Sequence, residues 1–412
     1  MIIADTETLE KFVARQRPGY ITVDTEFMRE KTYWPILCLI QIASETEAVM
    51  IDPLTPIDLS PLWRLFDDPS ITKVFHAARQ DLEIFYHLTG RLPTPIVDTQ
   101  IAAMACGFGE AASYETLATR LAGAKIDKSS RYTDWAQRPL SEAQLHYALA
   151  DVTHLRQVYE KLQESLAQTA RHHWLADELA VLSHPGTYHT NPDEAWQRLR
   201  PRGLSAKALA VLQSVAAWRE REAQAHDLPR GRILRDEAVL ELANARPTSI
   251  DALARCRAVG GGIAQGKLGP HILAAIQDGL NAPPPPQKIA KTSYAPSGSA
   301  NNHTALVDML RILLKTIAEQ HSVAAKLIAN SSDLEQLAGW VEANADLSKM
   351  LPTLLENSSG LSDNQAVPPL LCLQGWRYDL FGRHANLLIQ GKIALSVAKS
   401  KIIMVPNELT SS

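Results

Sequence analysis

Val23-Asp24-Thr25-Glu26-Phe27-Met28-Arg29 places two carboxylates in an apolar run near the start of this chain. Residues 21–27 alternate as a β-strand does, so Asp24 and Glu26 point to one face and Thr25 to the other. Two carboxylates on one face of an apolar strand are costly to bury unless something neutralises them. A divalent cation with oxygen ligands would neutralise them. Exposure of the strand end to water would explain them equally well, so the pair alone leaves both explanations open.

The sequence around this strand predicts an α/β domain. Residues 21–27, Ile36–Ala43 and Ala48–Ile51 are short, apolar or alternating runs that predict three strands in an antiparallel meander. The further predicted elements are helices at Ser60–Asp67, 77–89 and 99 to about 168, with strands at 73–76 and 96–98. This order predicts a mixed sheet with helices packed against it.

Two later blocks add further polar groups. Asp81 lies in the first turns of the helix predicted after strand 73–76. Ser141 and Gln144 form a capping box, which predicts that another helix begins there. Tyr147 and Asp151 are four residues apart on that helix and share a face.

These three blocks, in this order, resemble the three motifs of the DEDD exonuclease superfamily, which is named for four acidic metal ligands. The motif residues would be Asp24 and Glu26, then Asp81, then Tyr147 and Asp151. Other stretches are similar to the ribonuclease D family within it: Val97-Asp98-Thr99-Gln100, Asp134-Trp135 and Arg138-Pro139-Leu140.

The resemblance implies a ribonuclease H-like α/β domain that removes 5′-mononucleotides from RNA 3′ ends with two divalent cations, Mg²⁺ or Mn²⁺. Asp24, Glu26 and Asp151 would hold one ion. Asp24, with Asp81 acting through water, would support the other, and Tyr147 would orient the attacking water. Trimming of tRNA precursors is the implied task. A 3′-5′ DNA exonuclease of the same superfamily and a non-catalytic nucleic-acid-binding protein remain alternatives.

The superfamily divides by whether a tyrosine or a histidine accompanies the last aspartate, and His146 and Tyr147 satisfy both spacings. At about 100° per residue, Tyr147 lies about 40° from Asp151 around the helix, and His146 about 140°. The geometry therefore favours Tyr147 and predicts that His146 is a surface residue.

Several side chains near the motifs are candidates for contacts with nucleic acid. They are Phe27, Met28, His76, Lys128, Arg131 and Trp135. Trp135 could stack on a base and Lys128 or Arg131 could steer phosphates. Packing in the core, or plain exposure to solvent, is the alternative for each.

Residues 204–281 resemble the HRDC domain, a small helical module. The resemblance is carried by Ala217-Trp218-Arg219, Asp227-Leu228-Pro229-Arg230 and Ile233-Leu234. Nine basic and three acidic residues lie between Arg198 and Arg235. This excess suggests phosphate contacts by Arg219, Arg230 and Arg232, with a solvated helix face as the alternative.

The remaining chain completes a multidomain prediction with two all-α HRDC-type domains. The predicted boundaries are 1–168 for the exonuclease domain, 169–203 for a connecting segment, 204–281 for the first HRDC domain, 282–303 for a Pro/Ser/Gly-rich linker, 304–395 for a diverged second HRDC-like domain and 396–412 for a tail. Gly375-Trp376-Arg377 is the main support for the second domain.

The composition excludes several other classes of protein. The 412 residues are 46% hydrophobic with a net charge of −4, and no apolar run approaches the roughly 20 residues of a membrane span. Four cysteines without a CxxC pair predict reduced thiols in a cytoplasmic protein. A monomer is expected, and the resemblance to ribonuclease D implies that its partner is RNA. The stretch from Gly261 to Leu268 nearly matches a P-loop, but Leu268 replaces the required hydroxyl, so no nucleotide cofactor is expected.

Overall fold

The computed structural model describes residues 1–127, 129–201, 203–283, 304–344 and 369–407. The chain divides by its internal contacts into two compact units. One contains Met1–Val97, Lys125–Arg156 and Leu179–Lys288, and the other contains Asp98–Ala124, Gln157–Glu178 and Ile289–Ser412. None of the helices in the described ranges is long and apolar enough to cross a lipid bilayer.

A six-stranded mixed sheet underlies the first unit. Its strands are β1 (Ile2–Ile3), β2 (Gly19–Met28), β3 (Ile36–Ala43), β4 (Ala48–Ile51), β5 (Ile71–Phe75) and β6 (Ile96–Asp98), in the order β1-β4-β3-β2-β5-β6. β2, β3 and β4 pair antiparallel, which confirms the predicted meander, while β5 runs parallel to β2. The strand that carries Asp24 and Glu26 is therefore an interior strand.

Three helices cover one face of this sheet. They are α1 (Thr6–Arg15), α2 (Ser60–Asp67) and α3 (Arg79–Thr89). Phe12, Leu62 and Phe85 from these helices share one buried core with Ile21 and Val23 of β2. Because β2 residues alternate between faces, its even-numbered side chains up to the acids project from the opposite face.

The first half of a long helix, α6 (Glu142–Thr169), lies along that opposite face. The Arg156 guanidinium carbon lies 4.6 Å from the Tyr20 ring centroid, and the Thr22 hydroxyl donates to the Val152 carbonyl over 2.8 Å. These contacts step two residues forward along the strand and four residues back along the helix, so the two run in opposite directions. One more step brings Asp24 level with the turn of α6 that precedes Val152.

The ends of α3 are set by two left-handed residues. Ala77 has a φ of 57°, which places it outside the helix, so α3 begins later than the predicted residue 77. Gly90 has a φ of 69° and its N–H donates to the Tyr86 carbonyl, which ends the helix where it was predicted to end.

Residues 206–281 form helices only. They are α8 (Ala206–Ala225), α9 (Arg230–Ile233), α10 (Asp236–Ala245), α11 (Ile250–Ala254), α12 (Gly260–Gln265) and α13 (Leu268–Asn281). The P-loop-like stretch lies in α12 and the turn after it, and a helix, not a strand, precedes it. Val211, Val215, Leu242 and Ile276 lie in the apolar core that these helices share.

Helix α8 also buries a carboxylate. Glu220 has a side-chain exposure of 0% and forms ion pairs of 2.7 Å with Arg198 and 2.6 Å with Arg230. The Tyr33 hydroxyl, from the connection between β2 and β3, donates to the same carboxylate. The Tyr33 backbone N–H donates to Asp227 over 3.0 Å. The β2–β3 connection is therefore fastened to α8 and to the turn that follows it in the same unit.

The second unit is mainly helical. Its helices are α4 (Thr99–Ala105), α5 (Tyr114–Ala122), α14 (Thr304–His321), α15 (Ala325–Ile328), α16 (Ser331–Ala343), α17 (Gly375–Arg377) and α18 (Arg383–Ile389), with a π-helical turn at Tyr378–Gly382. α6 and α7 (Ala176–Ser183) contribute residues to both units. Short 3-10 turns lie at His172–Leu175, Pro185–Thr187, Pro192–Leu199 and Leu371–Leu373.

Two features of this unit differ from the prediction. The helix expected over 305–329 breaks at Ser322, which has a φ of 50°. Ile393–Ala398 (β7) and Lys401–Pro406 (β8) pair as an antiparallel hairpin, where the end of a helical domain and a tail were expected. Its turn residues Lys399 and Ser400 both have positive φ without the Asn-Gly or Asp-Gly signature that announces such turns, which explains the miss.

The buried carboxylate gives a stability prediction. Glu220→Ala should lower the free energy of unfolding by about 3 kcal/mol or more, because two guanidinium groups lose the carboxylate that compensates them in a buried site. Thermal unfolding followed by circular dichroism measures the loss.

Asp193→Ala is the matched control, since Asp193 pairs with Arg221 at an exposed site, with 63% and 57% of the side chains accessible. It should cost less than about 1 kcal/mol. Equal effects of the two substitutions would contradict the structural role given to Glu220.

Candidate active site

Three carboxylates converge between β2 and α6. Ligand oxygens of Asp24, Glu26 and Asp151 all lie within 4.8 Å of one another. Asp24 and Glu26 come from one face of β2, and Asp151 comes from the helix that packs on that face. Residues more than 120 positions apart in sequence thus meet because α6 runs along β2.

The start of α6 is fixed by the predicted capping box. The Ser141 backbone N–H donates to the Gln144 side-chain oxygen over 3.0 Å, and the Gln144 N–H donates to the Ser141 hydroxyl over 3.2 Å. One turn later the Tyr147 hydroxyl hydrogen-bonds the Asp151 carboxylate. His146 is exposed. The helix thus directs Tyr147, not His146, to the carboxylates.

Asp81 approaches from the other side of the strand. It lies in the first turn of α3, is 7% exposed, and accepts a hydrogen bond from the Thr25 hydroxyl. Thr25 alternates with Asp24 and Glu26, so it faces the helices of the apolar core, as the strand pattern predicted. Asp81 is outside the set of oxygens within 4.8 Å but close enough for its charge to act on Asp24 and Glu26.

Burial and mutual repulsion disfavour the charged forms of these acids. Burial, followed by the charges of Asp151, Asp81 and Glu26, raises the pKa of Asp24 well above its usual range. Burial and the same neighbouring aspartates raise the pKa of Glu26 to about 9. Burial raises the pKa of Asp151 to about 7, although the Tyr147 hydrogen bond and Arg131 oppose the shift.

This arrangement fits a divalent cation. All the converging donors are carboxylate oxygens, which Mg²⁺ and Mn²⁺ prefer. With metal–oxygen distances of about 2.1 Å, opposite ligands of one ion lie about 4.2 Å apart, a span close to that of the cluster. Positive charge at this point would also relieve the repulsion that raises the acid pKa values.

The candidates for contact with nucleic acid have different environments. Arg131 is exposed, and its charge lowers the pKa of both Glu26 and Asp151, so it lies beside the carboxylates. Phe27 and Met28 are partly buried and pack against the cores on the two faces of the sheet. His76 is half-buried directly after β5. Lys128 lies outside the described residues.

The structure contradicts the prediction that Trp135 stacks on a base. Its indole is 2% exposed and packs in a small core with Cys38, Met50 and Ala148. The ring centroid lies 6.1 Å from that of Tyr147. Trp135 therefore supports the Tyr147 ring from within the protein.

The structure also corrects the prediction of phosphate contacts for two arginines. Arg219 is 2% exposed and donates to the Leu234 carbonyl over 2.9 Å and to Asp236 over 2.6 Å. Arg230 is bound by Glu220 and donates to the Tyr33 hydroxyl over 2.8 Å. The Arg219 guanidinium is buried and the partly exposed Arg230 guanidinium is paired with Glu220, while Arg232 is exposed and stays a candidate.

Sequence reasoning missed an ion pair that ties the end of β2 to α3. Arg29 forms a bidentate pair with Glu83, with distances of 3.0 and 2.9 Å. Glu83 lies two residues after Asp81 on the same helix. Arg29 was visible as part of the first motif, but its partner is 54 residues away, so no local pattern pointed to it.

Comparison with known proteins agrees with this geometry. The model of a 3′-5′ exonuclease family matches residues 1–167, and the model of the HRDC domain matches residues 208–276. Fold and site together therefore define a 3′-5′ exonuclease with a helical HRDC domain.

Full-length relatives identify the family. Proteins named ribonuclease D from Gluconacetobacter diazotrophicus and Jannaschia sp. are 46% and 44% identical, each over 98% of this chain and over 97% and 98% of their own lengths. The crystal structure of Escherichia coli RNase D, described as an exoribonuclease involved in structured RNA processing, matches with a TM-score of 0.72 and 28% identity, covering 95% of this chain and 98% of that one. The chain belongs to the ribonuclease D family and is an exoribonuclease.

The raised acid pKa values predict how stability depends on pH without metal. An acid whose pKa is higher in the folded state contributes stability that declines as pH rises from the unfolded pKa towards the folded one. For Glu26 this window runs from the ordinary value of 4.5 to about 9. With EDTA present, the melting temperature should fall between about pH 6 and about pH 9.

Glu26→Gln is the control, because the amide stands in for the protonated acid. This variant should lose less of its melting temperature over the same pH range. Adding Mn²⁺ should raise the melting temperature of the parent protein and do so less for Glu26→Gln. If Mn²⁺ does not raise the melting temperature of the parent protein at about pH 6 or at about pH 9, the cation site is refuted.

The orientation of α6 predicts a difference between adjacent substitutions. Tyr147→Phe should lower kcat for RNA hydrolysis by about 10²-fold, because it removes the hydroxyl beside Asp151 and keeps the ring. His146→Ala should leave kcat close to that of the parent, since His146 is exposed. Initial rates at saturating RNA measure both, and the reverse ranking would contradict the role given to Tyr147.

Proposed function

We propose that the protein removes 5′-mononucleotides one at a time from RNA 3′ ends by a two-metal-ion reaction, and that the 3′ ends of tRNA precursors are among its substrates. The proposed ions are Mg²⁺ or Mn²⁺. The observation that carries the proposal is the convergence of Asp24, Glu26 and Asp151 within 4.8 Å, with the Tyr147 hydroxyl bonded to Asp151.

The carboxylates would divide the binding of the ions between them. Asp24, Glu26 and Asp151 are the proposed ligands of one ion, and Asp24 with Asp81 would support the second, Asp81 acting through water. The Thr25 hydroxyl holds the Asp81 carboxylate, which supports this indirect role. When bound, such ions lower the pKa of a water molecule and neutralise charge on the leaving oxygen.

Tyr147 would position the attacking water. Burial and then the Asp151 charge raise the pKa of its phenol, so the group keeps its proton at neutral pH. The hydroxyl donates a hydrogen bond to the Asp151 carboxylate, which leaves the phenol oxygen able to accept a hydrogen bond from water. We assign Tyr147 this orienting role and not that of a general base.

The choice of RNA and the wider setting rest on the likeness to ribonuclease D proteins over nearly the whole chain. We extend to this protein the structured-RNA processing given for the Escherichia coli relative. Exposed Arg131 beside the carboxylates supports an approach of the phosphate backbone to that point. A cytoplasmic monomer is the proposed working form.

The domain boundaries are also part of the proposal. We assign 1–168 to the exonuclease domain, 204–281 to the first HRDC domain and 304–395 to a diverged second HRDC-like domain. Helices α14, α16 and α18 support a helical domain in the last range. The hairpin formed by β7 and β8 begins within it and extends beyond it.

The test is digestion of matched RNA and DNA strands with a label at the 5′ end and a free 3′ end. RNA should shorten stepwise from its 3′ end with Mn²⁺ or Mg²⁺ and stay intact with EDTA. Equal digestion of DNA would favour a DNA exonuclease instead. No digestion of either strand would favour a non-catalytic nucleic-acid-binding protein.

Asp24→Ala gives the matching prediction for the site. Turnover should be abolished, because Asp24 is the proposed ligand of both ions, while RNA affinity measured by fluorescence anisotropy should be largely retained. A pre-tRNA with a 3′ extension serves as the second substrate. If the parent enzyme digests unstructured RNA but leaves that extension intact, the tRNA part of the proposal fails.

A further inference from the structure

The loop before α6 carries an aromatic side chain in an unusual position. Tyr132 is 89% exposed, more than any other large hydrophobic residue in the described part of the chain. Isolated exposed apolar residues are common and need no explanation. The position of Tyr132 directly beside Arg131, next to the carboxylates, is what makes it informative.

This loop is held firmly on both sides of its exposed tip. Ser130 is 4% exposed, and its carbonyl accepts hydrogen bonds from the Thr133 hydroxyl and N–H over 2.7 and 3.2 Å. The Gln144 side-chain amide donates to the Thr133 hydroxyl over 3.0 Å and to the Asp134 carbonyl over 3.3 Å. Gln144 also completes the capping box of α6, so the helix that carries Tyr147 and Asp151 fixes the loop as well.

The two residues at the tip point a cation and a ring into solvent together. The Arg131 guanidinium carbon lies 5.2 Å from the Tyr132 ring centroid, within the range of a cation–π contact. Trp135, three residues later, is buried and holds the base of the loop against the Tyr147 ring. The loop thus has an apolar anchor on the inside and an aromatic ring with a cation on the outside.

We propose that Tyr132 is a base-stacking residue for the 3′ end of single-stranded RNA, with Arg131 placed against the adjoining phosphate. An exposed aromatic ring combined with a cation is how proteins hold unpaired nucleotides without reading their sequence. The assignment replaces the one made for Trp135 from sequence, since Trp135 is buried and Tyr132 is open. It rests on the proposed function, because it places the RNA 3′ end at the carboxylate cluster.

Kinetics with a modified substrate test this stacking directly. Tyr132→Ala should raise KM about tenfold for an RNA with normal 3′-terminal nucleotides, the scale expected for one stacked base, and leave kcat much less changed. With an RNA whose last nucleotides are abasic, the same substitution should have little effect. Tyr132→Phe and Tyr132→Trp should restore the parent KM, because each keeps an aromatic face.

Leu88→Ala is the control, since Leu88 is also exposed, at 51%, and lies at the far end of α3 from Asp81. It should match the parent on both substrates. A parent-like KM for Tyr132→Ala on normal RNA would overturn the inference. An equal loss on normal and abasic RNA would also overturn it, because the defect would then be structural.

A binding measurement separates this inference from the proposed function. An RNA with 2-aminopurine at its 3′ end is titrated with protein in EDTA, so that turnover plays no part. Stacking on Tyr132 should quench the fluorescence, and Tyr132→Ala should lose most of the quenching. If Tyr132→Ala loses the quenching but the parent protein does not digest RNA, only the proposed function is refuted. If Tyr132→Ala quenches as fully as the parent protein, only the stacking role is refuted.

Discussion

Repulsion among closely spaced carboxylates dominates the electrostatics of the site. Asp24, Glu26 and Asp151 lie within 4.8 Å of one another, and Asp81 adds its charge from the far side of β2. Within the described residues, Arg131 supplies an opposing charge on Glu26 and Asp151. Burial and this repulsion raise the pKa values of the acids, so the site favours a hard cation that would offset the negative charge.

Packing of α6 on β2 maintains this crowded geometry. The Thr22 hydroxyl reaches the Val152 carbonyl in a fully buried contact, which fixes the register between strand and helix next to the acids. The capping box sets where α6 starts, and Trp135 supports the Tyr147 ring. The four proposed acidic ligands and Tyr147 all lie on strands or helices, which suits a site that must keep its distances.

The arginines of the helical domain show why a charge count misleads. Of the eight basic residues between Arg198 and Arg235 that the structure describes, four form ion pairs with acids inside the first unit: Arg198, Arg219, Arg221 and Arg230. Their role is to hold the module together and, through Glu220 and Tyr33, to fasten it to the β2–β3 connection. A positive patch can only be recognised once these pairs are known, because the acids that neutralise the arginines come from other helices.

Periodicity and local motifs predicted the meander of β2, β3 and β4, the start of α6 and the end of α3. They also favoured Tyr147 over His146. Each of these features depends on residues within a few positions of one another. Contacts between distant residues were decided by tertiary structure alone. Asp81 meets Thr25 across the strand and Arg29 meets Glu83. Packing also buries Trp135, which the sequence offered as a stacking residue, and leaves Tyr132 exposed. The turn at Lys399 and Ser400 lacks the Asn-Gly or Asp-Gly pair typical of hairpin turns, so the sequence did not predict this hairpin either. Burial and long-range pairing depend on how elements pack, and one sequence without its fold does not contain that information in any local pattern.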